Sequence, residues 1–193
     1  ENTVIGDRSF GTDAEKVTEY ATAYSDGLHA NDVLSCFKHF PGHGATKDDT
    51  HKGYAYSDKT YEELAKAELV PFAAAGEAGA DMVMVAHIAL PNVTGEDTPC
   101  SLSYQMITEI LRGDLEYEGL VITDALNMGA IAETYDSGEA ALMAVEAGVD
   151  LLLMPEDVEG AYAAICEAVQ NGEVTEERID ESVRRILEVK LGE

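Results

Sequence analysis

The stretch Lys38-His39-Phe40-Pro41-Gly42-His43-Gly44-Ala45-Thr46-Lys47-Asp48-Asp49-Thr50-His51 follows directly on the apolar run Val33–Phe37. It holds three of the chain's five histidines, a pair of adjacent carboxylates and a proline–glycine-rich backbone. A loop leaving the end of a buried strand is where α/β folds place their chemistry, because the strand fixes the loop while its backbone stays solvated. A second anchor is Asp124, which closes the apolar segment Gly119-Leu120-Val121-Ile122-Thr123. An ionised carboxylate at the end of such a strand needs a cavity, a partner or a function. Its alternative is to cap a helix opening at Ala125-Leu126-Asn127-Met128.

Around these anchors the pattern alternates between helix and strand periods. Thr12 with Glu15 forms a capping-box pattern, and Ala14, Val17, Ala21, Tyr24 and Leu28 mark one helical face. Val33–Phe37 has strand length. Thr60 with Glu63 is a second capping box, opening a helical stretch through Leu64 to Ala75 that Pro71 bends or divides. Met82–Ala86 reads as a buried strand with His87 just past it. Ser103 is placed to cap a helix to about Arg112, and strand Leu120–Thr123 then leads to Asp124. Ser137 opens a helix to Ala147, ended by Gly148. Val149–Met154 reads as a fourth strand stopped by Pro155, before closing helices at about Val158–Gln170 and Thr175–Val189.

Continuously apolar strands separated by helices imply a parallel sheet covered on both faces. A doubly wound sheet or part of a (β/α)8 barrel satisfies this pattern equally. No Gly-x-Gly-x-x-Gly follows a strand, which weakens the dinucleotide-binding version. A complete barrel needs about 250 residues, and the strands here are those of roughly half of one.

Composition excludes several functions. A net charge of −26 over 193 residues makes nucleic acid or an anionic membrane surface an unsuitable partner, while 46% apolar content argues against disorder. No run of 18 apolar residues exists to span a membrane. Cys36, Cys100 and Cys166 lack close spacing, so buried free thiols are expected in place of a disulfide framework. No signal peptide is visible, and the chain starts at Glu1 without an initiator Met, so compartment stays open.

In Asp49-Thr50-His51, a carboxylate two residues from an imidazole can hold the ring in one tautomer and raise its basicity. The plain alternative is a solvated polar loop. Lys38 and His39 follow the strand and are expected to point into the same mouth, where ammonium and imidazole suit sugar hydroxyls or phosphates. His43 either packs within the glycine-rich turn or touches a ligand. His87 is a candidate for lining the pocket or for a structural hydrogen bond. Arg8, in Asp7-Arg8-Ser9-Phe10, either clamps a ligand or pairs with Asp7.

These motifs, together with Asn127-Met128-Gly129-Ala130 and Ile5-Gly6-Asp7-Arg8-Ser9-Phe10-Gly11, resemble family 3 of the glycoside hydrolases across nearly the whole chain. The Asp-x-His triplet is similar to that of the bacterial β-N-acetylhexosaminidase (β-N-acetylglucosaminidase) branch, with Thr50 standing where that branch commonly has Ser. The resemblance implies a TIM-barrel catalytic domain, with residues 1–193 as a single fragment forming roughly its C-terminal half. It implies Asp124 as nucleophile, His51 as general acid/base with Asp49 as its partner, and Arg8, Lys38 and His39 as sugar-binding groups. His87 is carried beside them as substrate-binding. No metal or other cofactor is implied. The implied substrate is a glycan containing N-acetylglucosamine: a peptidoglycan fragment, a chitin-derived sugar or another glycoconjugate.

Three rivals stand beside this reading. A phosphorylase would use the same site with phosphate in place of water. A metal-dependent hydrolase would draw on His39, His43, Asp49, His51 and Asp124, although Pro41 and Gly42 prevent a helical His pair. A non-catalytic half-barrel would cover its strand edges with a second copy or with the absent half.

Overall fold

The computed structural model describes residues 5–48 and 55–192. Strand β1 is Cys36–Phe40, and the two-residue strands β2 (Lys47–Asp48) and β3 (Ala55–Tyr56) bracket the segment 49–54. Then come β4 (Met82–Val85), β5 (Ile88–Ala89) and β6 (Leu120–Thr123). The main sheet runs β1-β4-β6, all parallel, with Cys36 beside Met82 and Met82 beside Leu120. Asp150 and Leu151 donate to the Val121 carbonyl at 2.8 and 3.1 Å, placing the next segment along the free side of β6. A second small sheet, β2-β3-β5, sits beyond the end of β4. Its antiparallel pair Asp48–Ala55 is tied to Ile88 by parallel pairing.

Helices follow the alternation expected: α1 (Ala14–His29), α2 (Tyr61–Leu64), α3 (Val70–Ala73), α4 (Pro91–Thr94), α5 (Gly129–Ala132), α6 (Ser137–Ala147), α7 (Val158–Asn171) and α8 (Glu176–Leu191). A π-helix spans Gln105–Asp114 before β6. The Thr60–Glu63 capping box forms in full, whereas α1 is capped by Asp13, one residue past the expected Thr12. Pro71 divides the predicted Leu64–Ala75 helix into α2 and α3, since it cannot donate to a continuing helix.

Two strand expectations shift. The first strand begins at Cys36, not Val33; Val33 and Leu34 remain about half exposed, and Lys38 and His39 lie inside the strand. Val149–Met154 pairs only through a Leu151 bridge, because the Thr123 hydroxyl takes the Leu153 N–H at 3.0 Å and interrupts the ladder.

Coverage of the sheet also differs from expectation. Phe37, Val83, Val85 and Val121 are buried in one core with Phe72, Ile107, Leu111 and Ala144 from the helices. Cys36, Met82, Met84 and Ile122, on alternate positions, are only half buried, and Lys38 is exposed. Period-2 geometry sends these side chains to the opposite face, so one face is packed and the other is open among the described residues. Phe40 and Phe72 meet edge to face at 5.3 Å between ring centres. Truncating Phe72 to alanine is expected to cost about 3–5 kcal/mol.

The amino ends of the strands are locked by polar bonds. Asp81 accepts from the Ser35 N–H at 2.6 Å and from the Ser35 hydroxyl at 3.1 Å, and it pairs with His29 at 2.7 Å. Asp150, whose side chain is fully buried, pairs with Arg112 at 2.7 Å and Arg185 at 3.0 Å and accepts from the Ser182 hydroxyl at 2.7 Å. All three cysteines are free; Cys100 is buried, while Cys36 and Cys166 are half buried.

Candidate active site

Asp124 is the first residue past β6 and continues the open-face row of Ile122. Its N–H donates to the Val85 carbonyl at 2.8 Å, fixing the backbone against β4. Its Oδ1 accepts the Ala125 N–H at 2.9 Å, and no helix opens before Gly129, so it is not a helix cap. Its Oδ2 lies 3.9 Å from His39 Nε2, close enough for charge interaction but too long for a hydrogen bond. Two residues 85 positions apart therefore meet at the carboxyl-end rim of the parallel sheet.

His39 is 9% exposed, and its Nδ1 has no hydrogen-bond partner among the described residues. Burial pushes its imidazole down from the ordinary 6.5 to about 4; Asp124 opposes the shift, while Lys38, His43 and Arg8 add to it. His39 is thus neutral near pH 7, and it leaves the Asp124 charge unpaired. The peptide bonds Lys38–His39 and Phe40–Pro41 are cis, and the β1–β4 register slips between Lys38 and Phe40. The His43 ring stands edge-on to His39 at 5.8 Å, and the Thr46 hydroxyl meets His43 Nδ1 at 3.3 Å. Lys38 and Arg8 are exposed cations, and their charges help hold the His39 imidazole down.

His87 lies deeper. Its Nε2 meets the Ala125 carbonyl at 2.9 Å, so that nitrogen carries the proton, and Nδ1 then accepts from the Ser101 hydroxyl at 2.7 Å. Burial lowers its pKa, against the Ala125 bond and Asp124, which raise it. Both nitrogens are engaged within the protein, on the peptide following Asp124. Of the two roles open to His87 in the sequence, the geometry carries the structural hydrogen bond.

Asp49 and His51 lie outside the described residues. The strands on either side of them are described: β2 pairs with β3, and β3 with β5 at Ile88–Ala89, immediately after His87. Sequence reasoning missed Ser101 and Glu68. Ser101 sits in an unremarkable Cys100–Leu102 turn, and no pattern signals its contact with His87. Glu68, in the turn between α2 and α3, packs against Gly42 of the histidine-bearing loop. Among the described residues, no three His, Cys, Asp or Glu side chains converge as metal ligands.

The sheet and its rim define the class: an α/β protein of TIM-barrel type that gathers its polar groups at the carboxyl ends of parallel strands. Within that class the chain belongs to glycosyl hydrolase family 3, whose N-terminal-domain model matches residues 1–189. It is 34% identical over 209 residues to β-hexosaminidase A of Pseudoalteromonas piscicida, covering 98% of this chain and 35% of that protein. A solved family 3 β-N-acetylglucosaminidase from a Paenibacillus species is 44% identical, with a TM-score of 0.93 over 98% of this chain and 37% of that one. A solved β-glucoside phosphorylase is 33% identical, with a TM-score of 0.87 over 95% of this chain and 35% of that one. The chain thus spans 35–37% of the length of these relatives.

Proposed function

We propose that this chain is a catalytic-domain segment of a retaining glycoside hydrolase that removes terminal β-linked N-acetylhexosamine. The observation that carries the reading is Asp124: an under-bonded carboxylate on the open face of the sheet, beside a buried neutral imidazole. Asp124 attacks the anomeric carbon while protonated His51, oriented by Asp49, gives its proton to the departing oxygen. The glycosidic bond breaks and a glycosyl ester of Asp124 forms. Neutral His51 then takes a proton from water, whose oxygen attacks the same carbon and frees Asp124. Arg8, Lys38 and His39 hold the sugar. His87 is a positioning residue: through the Ala125 carbonyl it fixes the peptide that follows the nucleophile. A protonated His39 would pair with Asp124 and quench it, so the neutral state imposed by burial keeps the nucleophile available.

The half-buried inner face and the share of relatives' length covered support reading residues 1–193 as roughly the C-terminal half of a barrel. Exposed Tyr24 lies on α1 and exposed Leu34 just before β1, and exposed Tyr162 and Leu187 lie on α7 and α8, which suits cover by further barrel strands or by a second copy. Turnover by the chain alone is expected to be weak or nil.

The test is hydrolysis of an aryl N-acetyl-β-glucosaminide by the longer protein that carries this domain. Asp124→Ala is expected to lower kcat by about 10³-fold or more. His51→Ala is expected to lose most on substrates with poor leaving groups. Wild-type turnover in Asp124→Ala would remove the nucleophile assignment. The likeness to a β-glucoside phosphorylase favours one second reading, in which phosphate replaces water as acceptor. Sugar phosphate formed in phosphate buffer would select it.

A further inference from the structure

The turn that presents His39 is short: the Gly42 N–H donates back to the His39 carbonyl at 2.8 Å. Gly42 has φ +125, and a Cβ placed there would fall 2.6 Å from Glu68 Cβ and 2.7 Å from Glu68 Cγ. The turn therefore rests directly on the stem of Glu68. The carboxylate beyond that stem is 14% exposed; its Oε1 pairs with Lys59 Nζ, while its Oε2 is buried and has no hydrogen-bond partner among the described residues. Lys59 stands just past β3, where Ser57 is tied to β5 through its N–H to the Ala89 carbonyl at 3.0 Å. One ion pair thus joins the loop after β1 to the small sheet flanking segment 49–54.

A largely buried carboxylate with one oxygen unbonded among the described residues carries a desolvation penalty that leucine, of similar length, would not. Packing alone would favour the leucine. Strain or unsatisfied polarity kept beside a polar rim points to a role in setting that rim's geometry.

We propose that Glu68 is a positioning residue: its stem backs the Gly42 turn and its carboxylate, anchored by Lys59, keeps His39 seated against Asp124. The inference rests on reading the Asp124–His39 locus as the active site. Its test reads geometry and not turnover, so failure of the glycosidase reading and failure of this one are distinguishable.

The test is an NMR titration of the histidine Cε1–H resonances from about pH 3 to about pH 8, a span that covers ordinary and depressed imidazoles. His39 is identified by the resonance lost in His39→Gln. In the unaltered chain His39 is expected to titrate at about 4. In Glu68→Leu the loosened turn admits water, relieves the desolvation and raises the midpoint by about one unit or more. Simple loss of a negative charge would shift His39 the other way, so the sign separates positioning from direct electrostatics. A folded Glu68→Leu with an unchanged or lowered midpoint overturns the proposal, as does an ordinary midpoint in the unaltered chain. Should circular dichroism show that Glu68→Leu does not fold, Glu68→Gln decides by the same criterion: it keeps the shape but breaks the ion pair, and an upward shift is expected.

Discussion

Asp150 and Asp124 belong to adjacent segments of one sheet, yet they are treated in opposite ways. The Asp150 side chain, fully buried, receives two arginines, the Ser182 hydroxyl and the Val121 N–H. Asp124, 19% exposed, accepts one N–H from its own neighbour and faces an imidazole 3.9 Å away. The same division holds for the histidines: His29 is bonded to Asp81 at 2.7 Å at the amino end, while His39 at the carboxyl end has one nitrogen without a partner among the described residues. The amino end completes its bonds and contributes stability. Among the described residues the carboxyl end leaves bonds unmade, which suits the polar rim of a barrel-type sheet.

The largest expected effect breaks the first pair. Asp150→Ala leaves Arg112 and Arg185 facing a void and is expected to cost about 3–5 kcal/mol in urea unfolding. Asp124→Asn should change stability by less than about 1 kcal/mol, in either direction, because little is bonded to the carboxylate. Equal losses at the two positions would erase the distinction.

Acid separates the histidines next. The folded pKa of His39, about 4, lies below the ordinary 6.5, so the unfolded chain takes up the proton first as pH falls. The stability contributed by neutral His39 is present above 6.5 and is lost progressively down to about 4. That difference amounts to about 3 kcal/mol at full expression. His39→Gln should flatten the slope of urea midpoint against pH in this window. Asp81 behaves otherwise. Burial pushes its carboxyl up, but bonds from Ser35 and His29 outweigh that and leave it below the usual 3.8, so its contribution fades only in stronger acid.

Glycines offer a finer contrast. Gly42→Ala meets both a disfavoured φ of +125 and the Glu68 stem, and is expected to cost about 2 kcal/mol. Gly172→Ala, at the end of α7, has φ +75 but open space around it, and should cost about 1 kcal/mol. Thermal unfolding of the two variants checks the order.

Much of this frame is legible in the residues. Strand β6 falls where the apolar run Leu120–Thr123 places it, because four consecutive buried-type residues between a glycine and an aspartate leave little choice. The Thr60–Glu63 cap is equally local, being written within one turn. What depends on distant partners is not legible. The start of β1 is set by Asp81, which binds Ser35 from 46 positions away, not by the hydrophobicity of Val33 and Leu34. The segment after Gly148 looks like a strand but is interrupted by a hydroxyl from Thr123. At the site, Asp124 and His39 stand out by residue type near the ends of their strands, and they meet at 3.9 Å. Ser101 and Glu68 do not stand out, since a serine in a turn and a glutamate between helices are ordinary surface choices until the fold brings them inward.

Salt gives the smallest effect and bears on the whole molecule. A net charge of −26 means that surface carboxylates repel one another in the folded chain more than in the expanded one. Raising ionic strength from about 0.1 M to about 1 M shortens the screening length from about 10 to about 3 Å, which should raise the melting temperature by about 3–5 °C. The buried Arg112–Asp150 pair is shielded from ions, so a folded Asp150→Asn should gain as much from salt as the unaltered chain does. At the opposite rim the exposed Lys38 and Arg8 hold the His39 pKa down partly through solvent, whereas Asp124 acts at 3.9 Å. Salt should therefore raise the His39 midpoint by a few tenths of a unit while the amino-end network stays unchanged. A salt response confined to the Asp150 network would place the open, solvent-coupled charges at the wrong end of the sheet.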